Sequence, residues 1–151
     1  MAGIKHANHT FGPEYQEDSR ILILGSFPSV KSREADFYYG HPQNRFWKIL
    51  WQIFGSPSEM KKGPEVITTA PSPENISEKK AFLKANHIAL WDVIEECDID
   101  GSSDSSIRNV IPVDIQRILE TSTIERIFVN GKTAEKYYLK YLEPICGRSA
   151  V

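Results

Sequence analysis

The chain's 151 residues predict an α/β fold, and three observations predict it. Three short runs, Ile21–Leu24, Ile88–Trp91 and Ile124–Val129, have strand length and are closed by turn or polar residues. Helically patterned stretches alternate with them, which is the signature of a parallel sheet with helices on its faces. The first run is apolar without interruption, as in a strand covered on both sides. The expectation is one domain over residues 1–151. It is a three-layer α/β/α arrangement around a central, mainly parallel four-stranded sheet, with the last strand only begun at Ala150-Val151.

Residues 1–18 read as an irregular lead-in to the first strand, which is bounded by Arg20 and Gly25. Gln43 to Phe54 reads as a helix: Pro42 suits its first turn, and Gly55 with Pro57 stops it. Its apolar residues (Phe46, Trp47, Ile49, Leu50, Trp51, Ile53, Phe54) leave one polar stripe of Arg45, Lys48 and Gln52, so it reads as largely buried. Residues 55–76, with Pro57, Pro64, Pro71 and Pro73, read as mostly loop. Ser77 reads as the cap of a helix running through Asn86. The second strand ends at Asp92, and Asp98 to Ser106 is polar and loop-like. Val113 to Leu119 reads as a helix with Asp114 in its first turn. The third strand ends at Asn130-Gly131, and a helix from Lys132 to Leu142 is stopped by Pro144.

Composition narrows the function classes. With 40% hydrophobic and 25% charged residues the chain is not of the disordered kind. No apolar run reaches the ~18 residues of a membrane span. The opening MAGIKHANHTFGPEYQ has no apolar signal core, and the two cysteines read as reduced thiols of a cytoplasmic protein. Cys97 and Cys146 make no disulfide framework and have no metal-ligand spacing. His6, His9 and His87 share no zinc-like spacing with His41, and Asp98-Ile99-Asp100-Gly101 lacks the calcium-loop pattern, so no metal is expected. A net charge of −2 does not advertise nucleic-acid binding, although only the field over a groove has to be positive.

Candidate chemistry gathers between Ile21 and Leu50. The loop Gly25-Ser26-Phe27-Pro28-Ser29 follows a strand, and its N–H groups can hold a carbonyl or phosphate oxygen. It is neither a P-loop nor a dinucleotide fingerprint, and its composition alone fits an ordinary turn. Asn44 lies at the mouth of a helix, where two readings stand side by side. It is the N-cap, or His41 caps with Pro42 at the first helical position and leaves the Asn44 side chain free. Phe37, Tyr38 and Tyr39 form an aromatic patch, which packs as core or stacks on a base. Lys132 opens a helix, where it meets phosphate or only solvent.

Together the segments ILILGSFPS, FYYGHPQNRFWKIL, IALWDVIEEC with GSSDSSI, and RIFVNGKTA resemble the uracil-DNA glycosylase superfamily. Within it they are most similar to the hypoxanthine (deoxyinosine) DNA glycosylase branch. The second segment also looks like the A-H-P-x-N-R-F-W-K stretch of mismatch-specific uracil glycosylases. The resemblance implies that Gly25 through Ser29 is the first motif, whose third position, an Asp or Asn in most branches, is Phe27 here. It transfers the catalytic amide to Asn44 and the base-stacking ring to Tyr39. Gly25, Ser26, Phe27, Pro28, His41 and Asp92 are implied to frame the base, and Ser29, Lys31 and Lys132 to meet DNA.

The implied activity is hydrolysis of the N-glycosidic bond of a deaminated base, most of all hypoxanthine, by a monofunctional glycosylase. No cofactor is implied. The implied partner is double-stranded DNA carrying that base, met by a monomer, intracellular and nucleoid-associated. The family's Pro/Ser-containing second motif is expected after Val151, so activity of these 151 residues alone stands in question. Two alternatives remain open: a uracil- or mismatch-specific glycosylase of the same fold, and a catalytically impaired nucleic-acid-binding α/β module.

Overall fold

A computed structural model describes residues 3–40, 44–54 and 75–151. His41 and most of the expected 55–76 loop lie outside the described residues. The fold is mixed α/β, and its sheet differs from the expectation. In place of one four-stranded, mainly parallel sheet there are two three-stranded sheets. The parallel one has β2 (Ile21–Gly25) between β3 (Ile88–Asp92) and β6 (Arg126–Val129). The other is antiparallel, with β4 (Ile94–Asp100) between β1 (Ile4–Asn8) and β5 (Arg108–Pro112).

The parallel sheet is built as its sequence dictates. Leu22, Leu24, Ala89 and Leu90 are fully enclosed, and every residue of β3 is buried. Each such leucine contributes roughly 1.5–3 kcal/mol through burial. The free edge of β3 is met by Glu14, which exchanges two backbone hydrogen bonds of 2.9 Å with Leu90. On the far side, Val151 donates to the Ile127 carbonyl (2.9 Å) and accepts from the Val129 N–H (3.0 Å), without a fourth strand being formed among the described residues.

The second sheet starts at a corner. Val93 N–H donates to the Gly25 carbonyl (2.8 Å) and Ile94 N–H to the Ser26 carbonyl (3.0 Å), so pairing continues as the chain leaves β3. β4 carries Glu95, Glu96 and Asp98, which suit a half-solvated antiparallel strand and not a strand covered on both faces. Asp98–Asp100 is therefore strand, where loop was expected; the polar turn begins at Gly101 and includes a 3-10 segment, Asp104–Ser106. The 1–18 lead-in likewise contains a strand, β1, which is mostly exposed and has no alternating apolar pattern to announce it.

The helices differ from their patterns mainly at their ends. α1 (Val30–Ala35) is a single short segment after the Gly25 loop. α2 (Phe46–Phe54) begins later than Gln43 and is not largely buried: Trp47 and Leu50 face inward, while Ile49 and Ile53 are 50% and 63% exposed. Its apolar side is one stripe, and the isoleucines fall outside it. α3 (Ile76–Ala85) is capped by Asn75, whose Oδ1 accepts the Glu78 N–H at 2.8 Å; Ser77 is not the cap. α4 (Ile115–Glu120) is capped by Asp114. α5 (Lys132–Tyr137) passes through a π-helical turn, Tyr138–Leu142, into α6 (Glu143–Cys146). Pro144 lies in the first turn of that last segment and does not stop the helix. The helix ends instead at Gly147, with φ +68°.

β1 is held by charge as well as by its ladder. His6 lies between Asp98 and Glu96, each 3.0 Å from a ring nitrogen. The bonds to Asp98 and then Glu96 raise the His6 pKa above its ordinary 6.5. Hydrogen bonds from Asn109 and then His6 lower that of Asp98 below 3.8. The His6 contribution is present below the unfolded pKa and is lost as pH rises through the folded one. The Asp98 contribution is present above its unfolded pKa and is lost on acidification. All these groups are solvated, so the effect is small. Amide protection factors along β1 should fall between about pH 5.5 and about pH 8.5 in the native chain and stay level in His6→Ala.

Candidate active site

The site begins with the register of two strands. β2 and β3 are parallel and level, which sets Gly25 directly beside Asp92 at their carboxyl ends. Parallel sheets bind ligands at these ends. A Cβ on Gly25 would lie 2.4 Å from Asp92 Oδ1 and 3.1 Å from the Tyr39 hydroxyl oxygen. Only glycine fits there, because the approach is closer than carbon and oxygen allow.

Asp92 is 4% exposed, and a buried carboxylate needs a partner. It has one in His9, whose Nε2 is 2.7 Å from Asp92 Oδ2. His9 is itself buried, and its Nδ1 is hydrogen-bonded to the Phe11 carbonyl. Its ring is held by Phe11, Phe27 and Tyr38, with centroids 4.7, 6.3 and 5.8 Å away.

The aromatic patch is divided between core and cavity. Tyr38 is core: its hydroxyl donates to the Gly12 carbonyl (2.7 Å), and its own carbonyl accepts from Trp47 Nε1 (3.1 Å). Phe37 stacks on Trp47 at 6.0 Å. Tyr39 has φ +53°, an uncommon conformation for a non-glycine residue. Its ring stacks on Phe46 at 3.7 Å and 17°, and its hydroxyl accepts from Asn130 Nδ2 at 3.2 Å. Burial, then the Asp92 carboxylate, pushes its pKa well above the usual tyrosine range. The phenol therefore keeps its proton.

Asn44 performs the capping role. Its Oδ1 accepts the Phe46 N–H at 2.9 Å, while the Arg45 carbonyl accepts the Ile49 N–H at 2.9 Å. Because Phe46 N–H only donates, the amide oxygen is committed and the Nδ2 donors remain. Ser29 is also a cap, since its Oγ accepts the Ser32 N–H at 3.1 Å at the start of α1. Ser32 Oγ in turn accepts the Gly40 N–H at 3.1 Å, tying the loop to the Tyr39 segment.

These residues enclose a cavity of about 200 Å³. Of the residues expected at the site, Gly25, Ser26, Phe27, Pro28, Ser29, Tyr39, Asn44 and Asp92 line it. Lys31 and Lys132 do not; both are exposed, and Lys31 is 3.6 Å from Glu34. His41 is outside the described residues. The structure adds Ser32, Tyr38, Ile99, Ser102, Asp104 and Asn130 to the lining. Asn130 was within reach of sequence reasoning, since it follows the third strand directly. His9 was not, because its partner is 83 residues away. No lysine or cysteine is among the described lining residues, so no amine or thiol there can attack a sugar carbon. Among the described residues no group of three or more His, Cys, Asp or Glu can hold a metal ion.

Gly25→Ala should destabilise the fold by about 1–3 kcal/mol, as overpacking of a closed contact does. A thermal melt reads this as a lowered midpoint, and an unchanged midpoint would show that Asp92 can withdraw.

The model of the uracil DNA glycosylase superfamily matches residues 13–150. A hypoxanthine DNA glycosylase of Methanosarcina barkeri is 31% identical over 129 residues, covering 84% of this chain and 73% of the relative. One of the same description from Methanosarcina acetivorans is 32% identical over 122 residues, covering 80% and 69%. Among solved structures, the solution NMR structure of a Methanosarcina acetivorans protein, provisionally named a uracil DNA glycosylase, has a TM-score of 0.69 at 30% identity, over 93% of this chain and 80% of that one. No helix among the described residues is long and apolar enough to cross a membrane. The match runs through both strands, the Gly25 loop and the α2 mouth that together form the cavity, and the chain belongs to the uracil DNA glycosylase superfamily.

Proposed function

We propose that this protein is a monofunctional DNA glycosylase that removes hypoxanthine from double-stranded DNA, acting as a monomer on deaminated intracellular DNA. The observation that carries the reading is the strand-end cavity shared by Gly25, Tyr39, Asn44 and Asp92, in a chain whose relatives bear that activity's name. The cavity suits one base, and a base has to leave the stack to enter it.

Each residue has a part. Phe46 covers one face of Tyr39, and we assign the other face to the extruded base. The backbone of Ser26 and Phe27, framed by Gly25 and Pro28, reads its edge. Ser29, Lys31 and Lys132 are the proposed contacts to the DNA backbone. In the reaction the C1′–N9 bond breaks, and its electron pair stays on the purine. A water oxygen bonds to C1′ and keeps one hydrogen as the new hydroxyl, and the water's other proton goes, directly or through solvent, to the purine. The products are free hypoxanthine and an abasic sugar.

Asn44 is the catalytic assignment. An amide does not take up a proton near neutral pH, so it is not a general base. With its oxygen held by Phe46, it offers Nδ2 as a donor that orients the water or meets the charge growing on the leaving base. The lining holds no lysine for a Schiff base, which favours simple hydrolysis.

The test is incubation with a deoxyinosine duplex, followed by alkaline cleavage at the abasic site. Asn44→Ala removes both cap and amide. It should cost about 1 kcal/mol of stability and lower single-turnover excision by roughly a hundredfold. Asn44→Asp keeps the capping oxygen, so it should melt like the native chain and still lose activity. Native rates in Asn44→Asp would sink the catalytic assignment. Tyr39→Ala should slow excision by about tenfold to a hundredfold, the worth of one stacked base. A preserved single-turnover rate would remove Tyr39 from the base.

A further inference from the structure

We propose that His9 is a positioning residue: it fixes Asp92 Oδ1 as a hydrogen-bond acceptor in the base cavity, and so selects bases that present an N–H there. The inference rests on the glycosylase reading and adds to it the means of sparing adenine, the parent of hypoxanthine.

The argument is a count of hydrogens. His9 Nδ1 is bonded to the Phe11 carbonyl oxygen, which only accepts, so Nδ1 carries a hydrogen. The 2.7 Å contact between His9 Nε2 and Asp92 Oδ2 needs one more hydrogen between them. Whichever of the two atoms owns it, that hydrogen lies on the Oδ2 side. Oδ1 is left bare. The pair as a whole carries no net charge, so it sets no uncompensated anion against a purine that is gaining negative charge.

The geometry aims that bare oxygen at the cavity. Asp92 lines it, and Oδ1 is the atom that a Cβ on Gly25 would strike. Among the described residues, no donor is bonded to Oδ1; His9 is bonded to Oδ2 alone. A buried side chain's acceptor that has no donor among the described residues is open to a ligand donor. Hypoxanthine supplies one, because its lactam form carries hydrogen on N1. Adenine turns a lone pair to the same place, and two acceptors face each other without a hydrogen. Guanine shares the N1–H, so this device separates hypoxanthine from adenine and not from guanine.

His9 reaches the base only through Asp92. It is packed among Phe11, Phe27 and Tyr38 and does not line the cavity. Its loss would leave Oδ2 unpaired, and either carboxyl oxygen could then take a hydrogen. A donor at Oδ1 favours the wrong edge.

The test compares single-turnover base release from duplexes carrying deoxyinosine or 2′-deoxynebularine, whose purine has no hydrogen on N1. His9→Leu should lower hypoxanthine release by about tenfold to a hundredfold, the worth of a hydrogen bond to a charged group, and leave purine release nearly unchanged. His9→Gln keeps an amide donor for Oδ2 and should restore the native preference. Equal losses on both bases, no loss on either, or a Gln variant that behaves like Leu would overturn the proposal. Should the Leu variant unfold, imidazole proton NMR on the native chain decides. Two exchange-protected downfield protons are expected, at Nδ1 and at the Nε2–Oδ2 contact, and a missing second proton overturns the proposal. A native chain that releases no hypoxanthine sinks the glycosylase reading itself; native release with an unchanged preference in His9→Leu sinks this inference alone.

Discussion

Asp92 is a carboxylate buried against a residue that has no side chain, and the site is arranged around that contact. In level parallel register the ends of β2 and β3 bring Gly25 and Asp92 side by side. With any larger residue at position 25, the Asp92 carboxylate and the Tyr39 hydroxyl could not both occupy their places. A buried carboxylate then requires a partner, and the segment after β1 supplies His9 from the opposite end of the sequence. The antiparallel sheet that β1 helps to form therefore does more than extend the fold. It delivers the residues that make a charged group tolerable at the centre of the cavity.

The mouth of α2 shows how one residue can serve two purposes. Of the two readings of Asn44, the observed one is the cap, since α2 begins at Phe46 and the Asn44 oxygen accepts its N–H. The same residue also lines the cavity. The cap also fixes where α2 starts, and so where Phe46 stands, against the ring of Tyr39. Tyr39 in turn depends on Asn130 at the end of β6. Two separate segments, the α2 mouth and the end of β6, thus orient one aromatic ring, and a strained φ at Tyr39 persists because both hold it.

Much of this was legible beforehand, for local reasons. The core strands could be read from apolar runs, and the Gly25 loop, Asn44 and Asp92, which line the cavity, from separate segments that each resemble a family motif. What failed was long-range. β1 is polar and exposed and owes its form to β4, while α2 looked buried because its sequence shows how many apolar residues it has but not which neighbours cover them. Pro144 looked like a stop, yet a π-helical turn before it let the helix continue.

Sequence alone determined the parallel strands, the identity of the loop that caps them and the residues at the α2 mouth, because patterning and capping act within a few residues. Only the tertiary structure decided that His9 pairs with Asp92, that Tyr39 leans on Asn130, and that both Asp92 and Asn130 line one cavity. Those outcomes depend on register between strands and on contacts spanning much of the chain, and hydrogen-bond partners at such separations leave no periodicity for a sequence to show.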